Sequence, residues 1–198
     1  MRSDLELLVA WRSGDPAAGD ELVSRHWASV SRFFGGKLGG RHQASDDAAE
    51  LISQTFLACV EGKDRIEGDN VKAYLFAVAR RRLAEHFRRR ARAPEVDFAL
   101  SSLADLATGP VTEVGRRQRD DLLREGLARI PLDDQIALEL AYFENLSTRE
   151  LAAVLEIAEP TVRSRLSRAR EKLRAVLVEL ATPEEANVAE SQLVSTLE

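Results

Sequence analysis

The sequence predicts an all-α protein built from two small helical domains joined by a linker. Ala, Leu, Glu and Arg recur while β-branched runs are scarce, a composition that favours helix. Apolar residues return every three or four positions within two long blocks, the period of helices that bury one face. Between the blocks, residues 93–112 carry Pro94, Gly109, Pro110 and several Ser and Thr, which read as a linker. At 198 residues and 44% hydrophobic, the chain suits one large or two small globular domains.

The first block is about 4–92. "SDLELLVAW" reads as a short helix capped by Ser3 or Asp4. A second helix starts with Asp15 as cap and Pro16 in its first turn. Its predicted buried face is Val23, Trp27, Val30 and Phe34, and "GGKLGG" is expected to end it. "SDDAAELISQTFLACVEG" is a third helix, with Ser45 or Asp46 as cap and a stripe of Ile52, Phe56 and Cys59 or Val60. After the loop "KDRIEGDN", a fourth helix buries Leu75, Ala79, Leu83 and Phe87 and leaves most of its arginines outside.

The second block is about 113–181. "VGRRQRDDLLREGLARI" is one helix, ended by Pro131, and "DDQIALELAYFENL" is the next. "STRE" is a capping box in which Ser147 caps while Glu150 reaches back. The helix it opens, a three-residue "EIA" and a helix with Pro160 in its first turn together form a helix-turn-helix. The tail 182–198 restarts at Thr182 and Pro183 and reads as a short acidic helix.

Charge is unevenly placed. The chain is acidic, at net −5 with a pI near 5.4. Yet Arg80 to Arg92 holds seven Arg and one Glu, and Glu159 to Arg174 holds six Arg or Lys against two Glu. Net acidity argues against a protein that coats nucleic acid indiscriminately but allows local basic faces. On the last helix, Val162, Leu166, Ala169, Leu173 and Val176 form the predicted seam. Thr161, Arg163, Ser164, Ser167 and Arg168 point elsewhere, in the half of a recognition helix that meets base edges. Arg170, Lys172 and Arg174 are placed to hold phosphates. For the Arg80–Arg92 face, two readings stay open. It is either a solvated helix end or, with Tyr74 and Phe76, a surface for single-stranded or melting DNA.

Other chemistries find little support. Asp46, Asp47 and Glu50 fit a first-turn acidic cap better than a cation site, and His26, His42 and His86 share no ligand spacing. "GGKLGG" lacks the order of a phosphate loop, so no enzyme, metal or cofactor is expected. Acids at Asp4 and Glu6 do not suit a signal peptide, and no apolar stretch approaches the ~20 residues of a membrane span. A lone Cys59 in an apolar run reads as a buried thiol in a reducing compartment. The expectation is a cytoplasmic protein without membrane insertion.

The two blocks together resemble the sigma-70 family of bacterial transcription initiation factors, in its compact extracytoplasmic-function group. "IPLDDQIALELAYFENLSTRELAAVLEIAEPTVRSRLSRAREKLRAVL" is similar to the family's region 4, "AAELISQTFLACVEG" to region 2.2, and "KAYLFAVARRRLAEHFRRR" to regions 2.3 and 2.4. The resemblance implies a region 2-like domain over 1–92, a linker over 93–112, a region 4-like domain over 113–181 and an acidic extension over 182–198. It implies binding to core RNA polymerase, at the β′ clamp helices and the β flap, and to promoter DNA, with an anti-sigma protein as a further candidate partner. Glu50, Gln54 and Thr55 match the core-binding surface, with Phe56 and Leu57 each either core or surface. Lys72, Tyr74, Arg80, Arg81 and Arg88 match the part that reads and melts the minus-10 element, after the loop "RIEGDNVKAY". Arg163, Ser164, Ser167, Arg168 and Thr161 match the minus-35 readers. Glu156 stands where the family usually has Gly, which predicts a turn that is either strained or differently wound. The alternative is a helix-turn-helix repressor or activator acting as a dimer without being a polymerase subunit.

Overall fold

The computed structural model describes residues 2–38, 42–68, 70–91 and 119–180. The predicted linker 93–112, the start of the second block and the tail 182–198 lie outside the described residues. Every regular element among the described residues is helical: α1 Asp4–Arg12, α2 Pro16–Leu38, α3 His42–Gly62, a 3₁₀ turn Lys63–Arg65, α4 Val71–Ala91, α5 Arg119–Arg129, α6 Leu132–Tyr142, α7 Thr148–Leu155 and α8 Glu159–Leu180. The chain divides into two compact units, Met1–His86 and Phe87–Glu198, with the division inside the last turns of α4.

In the first unit, Ser3 caps α1 through a complete capping box with Glu6. Asp15 Oδ1 accepts from the amides of Ala17 and Ala18 at the start of α2. The Asp4 carboxylate then joins the two helices: Oδ1 accepts from Arg25 at 2.7 Å, and Oδ2 lies 2.6 Å from His26 Nε2. Leu7 and Leu8 of α1 and Leu22, Val30 and Phe34 of α2 are fully buried. Phe33 meets Phe34 edge-on and Phe76 of α4 at a tilt. The α4 stripe of Leu75, Ala79, Leu83 and Phe87 is buried as its spacing predicts.

Two readings need correction here, and one open choice is settled. Helix α2 runs through Gly35 and Gly36 to Leu38. Burial of Phe33, Phe34, Lys37 and Leu38 outweighs the ~1 kcal/mol that each glycine costs a helix. Trp27 is 48% exposed rather than core, and its ring stacks on Phe56 at 5.4 Å. On α3 the stripe closes with Cys59, while Val60 faces outward.

In the second unit, α6 is buried along almost its whole length, including Ile136, Ala137, Leu138 and Leu140. Leu122, Leu123 and Leu127 of α5 and Ala169, Leu173 and Leu177 of α8 complete one core with Ile130, Leu138 and Tyr142. Leu166 and Val176, placed in the predicted seam, pack at its margin, and Leu177 is buried within it. Gly126 allows α5 to approach α8 closely, since a Cβ there would lie 2.8 Å from Leu177 Cδ2.

Candidate nucleic-acid interface

Helices α7 and α8 form the predicted helix-turn-helix. Ser147 caps α7 and Glu150 returns to the Ser147 amide at 2.7 Å. The turn is Glu156-Ile157-Ala158. Glu156 ends α7 in the left-handed region, at φ 57°, and the Ile157 amide donates to Ala152 O at 3.1 Å. Thr148 Oγ1 donates to Glu159 Oε1 at 2.8 Å, which ties the first turn of α7 to the first turn of α8. Apolar burial of Leu151, Val154, Leu155 and Val162 fixes the crossing of the two helices.

The five residues expected to face DNA are Thr161, Arg163, Ser164, Ser167 and Arg168, and all are exposed. They occupy the first three turns of α8, on the side away from Val162 and Ala169. Ser164 Oγ donates to Thr161 O at 3.0 Å, and Arg168 Nε donates to Ser164 O at 3.2 Å. Arg163 lies 3.9 Å from Glu159. These contacts are local to the helix and leave the side chains at its surface.

Two other cations of α8 are committed to the fold. Arg165 donates to Asp133 Oδ2 at 3.1 Å, with both side chains largely buried. Lys172 Nζ donates to Asp134 Oδ2 at 2.6 Å. Arg165 and Lys172 stand seven residues apart and so share one flank of α8. Asp133 and Asp134 occupy the first turn of α6, where a helix favours negative charge. Lys172, expected to hold a phosphate, instead has its ammonium on Asp134 here, with the side chain still about half exposed. Arg170 and Arg174 remain at the exposed side.

The basic helix α4, most of which lies in the first unit, separates its five candidates. At about 100° per residue, Tyr74, Arg81 and Arg88 fall within an arc of roughly 40° opposite the core stripe. Arg81 and Arg88 are exposed, and Tyr74 is half-buried. Lys72 and Arg80 lie nearer the core and are half-buried. Phe76, offered as a stacking partner, is a core residue against Phe33.

On α3, Glu50 is exposed and accepts a hydrogen bond from Gln54 Nε2 at 2.7 Å. Thr55 does not belong with them. It is 0% exposed, and its hydroxyl donates to Leu51 O at 2.7 Å, so burial and an internal hydrogen bond remove it from any surface. The outward stripe continues instead through Leu57, which is 56% exposed, while Phe56 is core. Sequence reasoning missed Trp27, because its spacing matched Val30 and Phe34; an indole resting on Phe56 at the surface leaves no periodic signal. Among the described residues, no group of three His, Cys, Asp or Glu is placed to hold a metal ion, and no helix is long and apolar enough to cross a membrane. Burial holds the Cys59 thiol well above its ordinary range, at about 11.

Residues 120–173 match the family model "Sigma-70, region 4". The chain is 31% identical over 147 residues to the ECF RNA polymerase sigma factor EcfG of Rhodopseudomonas palustris, covering 74% of this chain and 78% of that one. It is 28% identical over 183 residues to the ECF RNA polymerase sigma factor SigM of Mycobacterium tuberculosis, covering 91% and 88% respectively. Among solved structures, it is similar in fold to CnrH in complex with the cytosolic domain of CnrY, with a TM-score of 0.63 at 23% identity over 91% of this chain and all of that one. It is also similar to the sigma factor RpoE bound to the anti-sigma factor NepR from Bartonella quintana, with a TM-score of 0.56 at 24% identity over 79% and 96%.

Proposed function

The chain belongs to the extracytoplasmic-function sigma factors of RNA polymerase, and we propose that its second unit reads the minus-35 element while its first unit docks on core polymerase and opens the minus-10 element. Its function is transcription initiation by directing polymerase to promoters. The exposed face of α8 carries this division of labour. Arg163 and Arg168 supply forks for guanine O6 and N7 or for phosphate, and Thr161, Ser164 and Ser167 supply hydroxyls between them. Arg165 and Lys172 hold the helix in place through α6 and do not read DNA.

For the first unit, Glu50, Gln54 and Leu57 form the surface offered to the β′ clamp helices, with Trp27 beside the buried Phe56. Tyr74, Arg81 and Arg88, with the loop before α4, take the minus-10 strand. Lys72 and Arg80 act at its flank. The region 4-like domain, set at 113–181, meets the β flap; 1–92 forms the region 2-like domain, 93–112 links the two, and 182–198 is an acidic extension. An anti-sigma protein is a further partner, a reading supported by the similar fold of RpoE, which is bound to the anti-sigma factor NepR. Polymerase supplies much of the DNA-binding charge, which suits a chain of net −5 in the cytoplasm.

Light scattering with and without bacterial core polymerase tests the reading. A monomer that joins core one-to-one is expected. A stable dimer that ignores core would return the case to a helix-turn-helix repressor or activator.

A further inference from the structure

We propose that Arg12 is a positioning residue for the loop that precedes α4, holding it in the shape that takes up promoter DNA. The inference rests on the reading of that loop and α4 as the minus-10 surface. Arg12 ends α1 and reaches across to a segment more than fifty residues away. Its Nε and Nη2 both donate to Lys63 O, at 3.0 and 2.5 Å, and Nη2 also donates to Ile66 O at 2.5 Å. Lys63 answers in kind: its Nζ donates to Trp11 O at 3.4 Å and stands over the Trp11 ring. Two neighbouring residues of α1 therefore grip the 3₁₀ turn that ends α3.

The contact suits the backbone it serves. The Lys63 carbonyl accepts only one long bond within the turn, from the Ile66 amide at 3.4 Å, and the guanidinium adds to it while reaching the Ile66 carbonyl, where a cation also opposes the local dipole. One guanidinium reaches two carbonyls because its donors form a rigid fork, which the ammonium of Lys does not reproduce. The anchor is itself fixed. Asp4 binds α1 to Arg25 and His26, and Trp11 presses so closely on Gly19 that a Cβ there would lie 2.6 Å from Trp11 Nε1.

Beyond the grip the loop turns outward. Ile66 and Val71 are buried, whereas Glu67, Gly68 and Asn70 are exposed. Gly68 takes φ +56°, and the Asn70 amide donates to Glu67 O at 3.3 Å. The Asn70 carbonyl then accepts from the Tyr74 amide at 2.9 Å, as α4 begins. The carbonyl held by Arg12 at Ile66 is thus a few residues from the turn that carries Lys72 and Tyr74. A loop pre-shaped in this way does not have to be ordered when DNA arrives.

The test uses the full chain bound to core polymerase at a promoter mapped by run-off transcription. Arg12→Ala and Arg12→Lys are compared with the loop variant Asn70→Ala/Lys72→Ala. Permanganate reactivity of minus-10 thymines reports melting, and hydrogen exchange reports the loop amides 63–70. The expected result is a melting signal lower by about tenfold in both Arg12 variants, the size of losing one or two net hydrogen bonds. Affinity for core stays within about twofold, a negligible change in free energy, and faster exchange is confined to the loop. Wild-type melting in both Arg12 variants, with melting lost in the loop variant, overturns the clamp and leaves the loop reading standing. Faster exchange throughout α1 to α4 would make Arg12 a general fold residue and also overturn the proposal. Wild-type melting in the loop variant overturns the loop reading, and the clamp with it.

Discussion

Lys172 Nζ lies 2.6 Å from Asp134 Oδ2, and seven residues earlier on the same flank of α8 Arg165 lies 3.1 Å from Asp133 Oδ2. Two of the six cations between Glu159 and Arg174 therefore hold α8 against α6. The basic helix is two surfaces, one structural and one facing outward. Arg163→Ala and Arg168→Ala should each reduce the salt slope of promoter binding by the holoenzyme by about 1. Lys172→Ala should leave the slope unchanged. Filter binding across a salt series separates the two surfaces, and an equal loss in all three variants would refute the division.

The turn before α8 carries a cost. Glu156 holds φ 57° and ψ 41°, a region where a side chain is disfavoured and glycine is not. Glu156→Gly should stabilise the protein by about 0.5–1 kcal/mol, after the larger chain entropy of glycine is set against the relieved strain. Thermal melts of the two proteins at one concentration measure it, and a lower melting temperature for the glycine variant would contradict the argument.

Leu57 is among the most exposed large apolar residues described, on the stripe shared with Glu50 and Gln54. Leu57→Asp should weaken binding to core polymerase by about 1–3 kcal/mol, the range for losing an apolar interface contact. Stability should change by less than about 0.5 kcal/mol, since the side chain already faces water. Fluorescence titration with core and a parallel urea melt read both quantities.

The thiol of Cys59 is buried, and its pKa rises from 9.0 to about 11. The folded state therefore keeps this proton after the unfolded chain has lost it. The contribution is fully present below pH 9 and is lost as pH rises towards about 11. At pH 8 the native protein should react with a thiol reagent at least ~100-fold more slowly than the urea-unfolded chain, because thiolate and access are both lacking. Matching rates would place Cys59 at the surface.

Much of this architecture was legible because it is written in local signals. Ser147 with Glu150, Asp15 with Pro16, and Pro131 each mark a helix boundary through hydrogen bonds made within a few residues. The α4 stripe was equally plain, since one face of a regular helix is a one-dimensional pattern. The misreadings share a different cause. Gly35 and Gly36 favour a break locally, and only the burial of Phe33, Phe34 and Leu38 keeps α2 intact. Trp27 and Thr55 fell on the wrong side of their helices, because an exposed indole can rest on a neighbouring ring and a buried hydroxyl can bond its own backbone. The pairs Arg165–Asp133 and Arg12–Ile66 join residues far apart in sequence, and no spacing announces them.

Run-off transcription decides whether the protein starts transcription. Purified bacterial core polymerase is supplied with this protein, or not, on a library of genomic fragments. Discrete new start sites are predicted, lost when Arg163→Ala is combined with Arg168→Ala. No new starts, in a mixture where the protein fails to bind core, would contradict an initiation role.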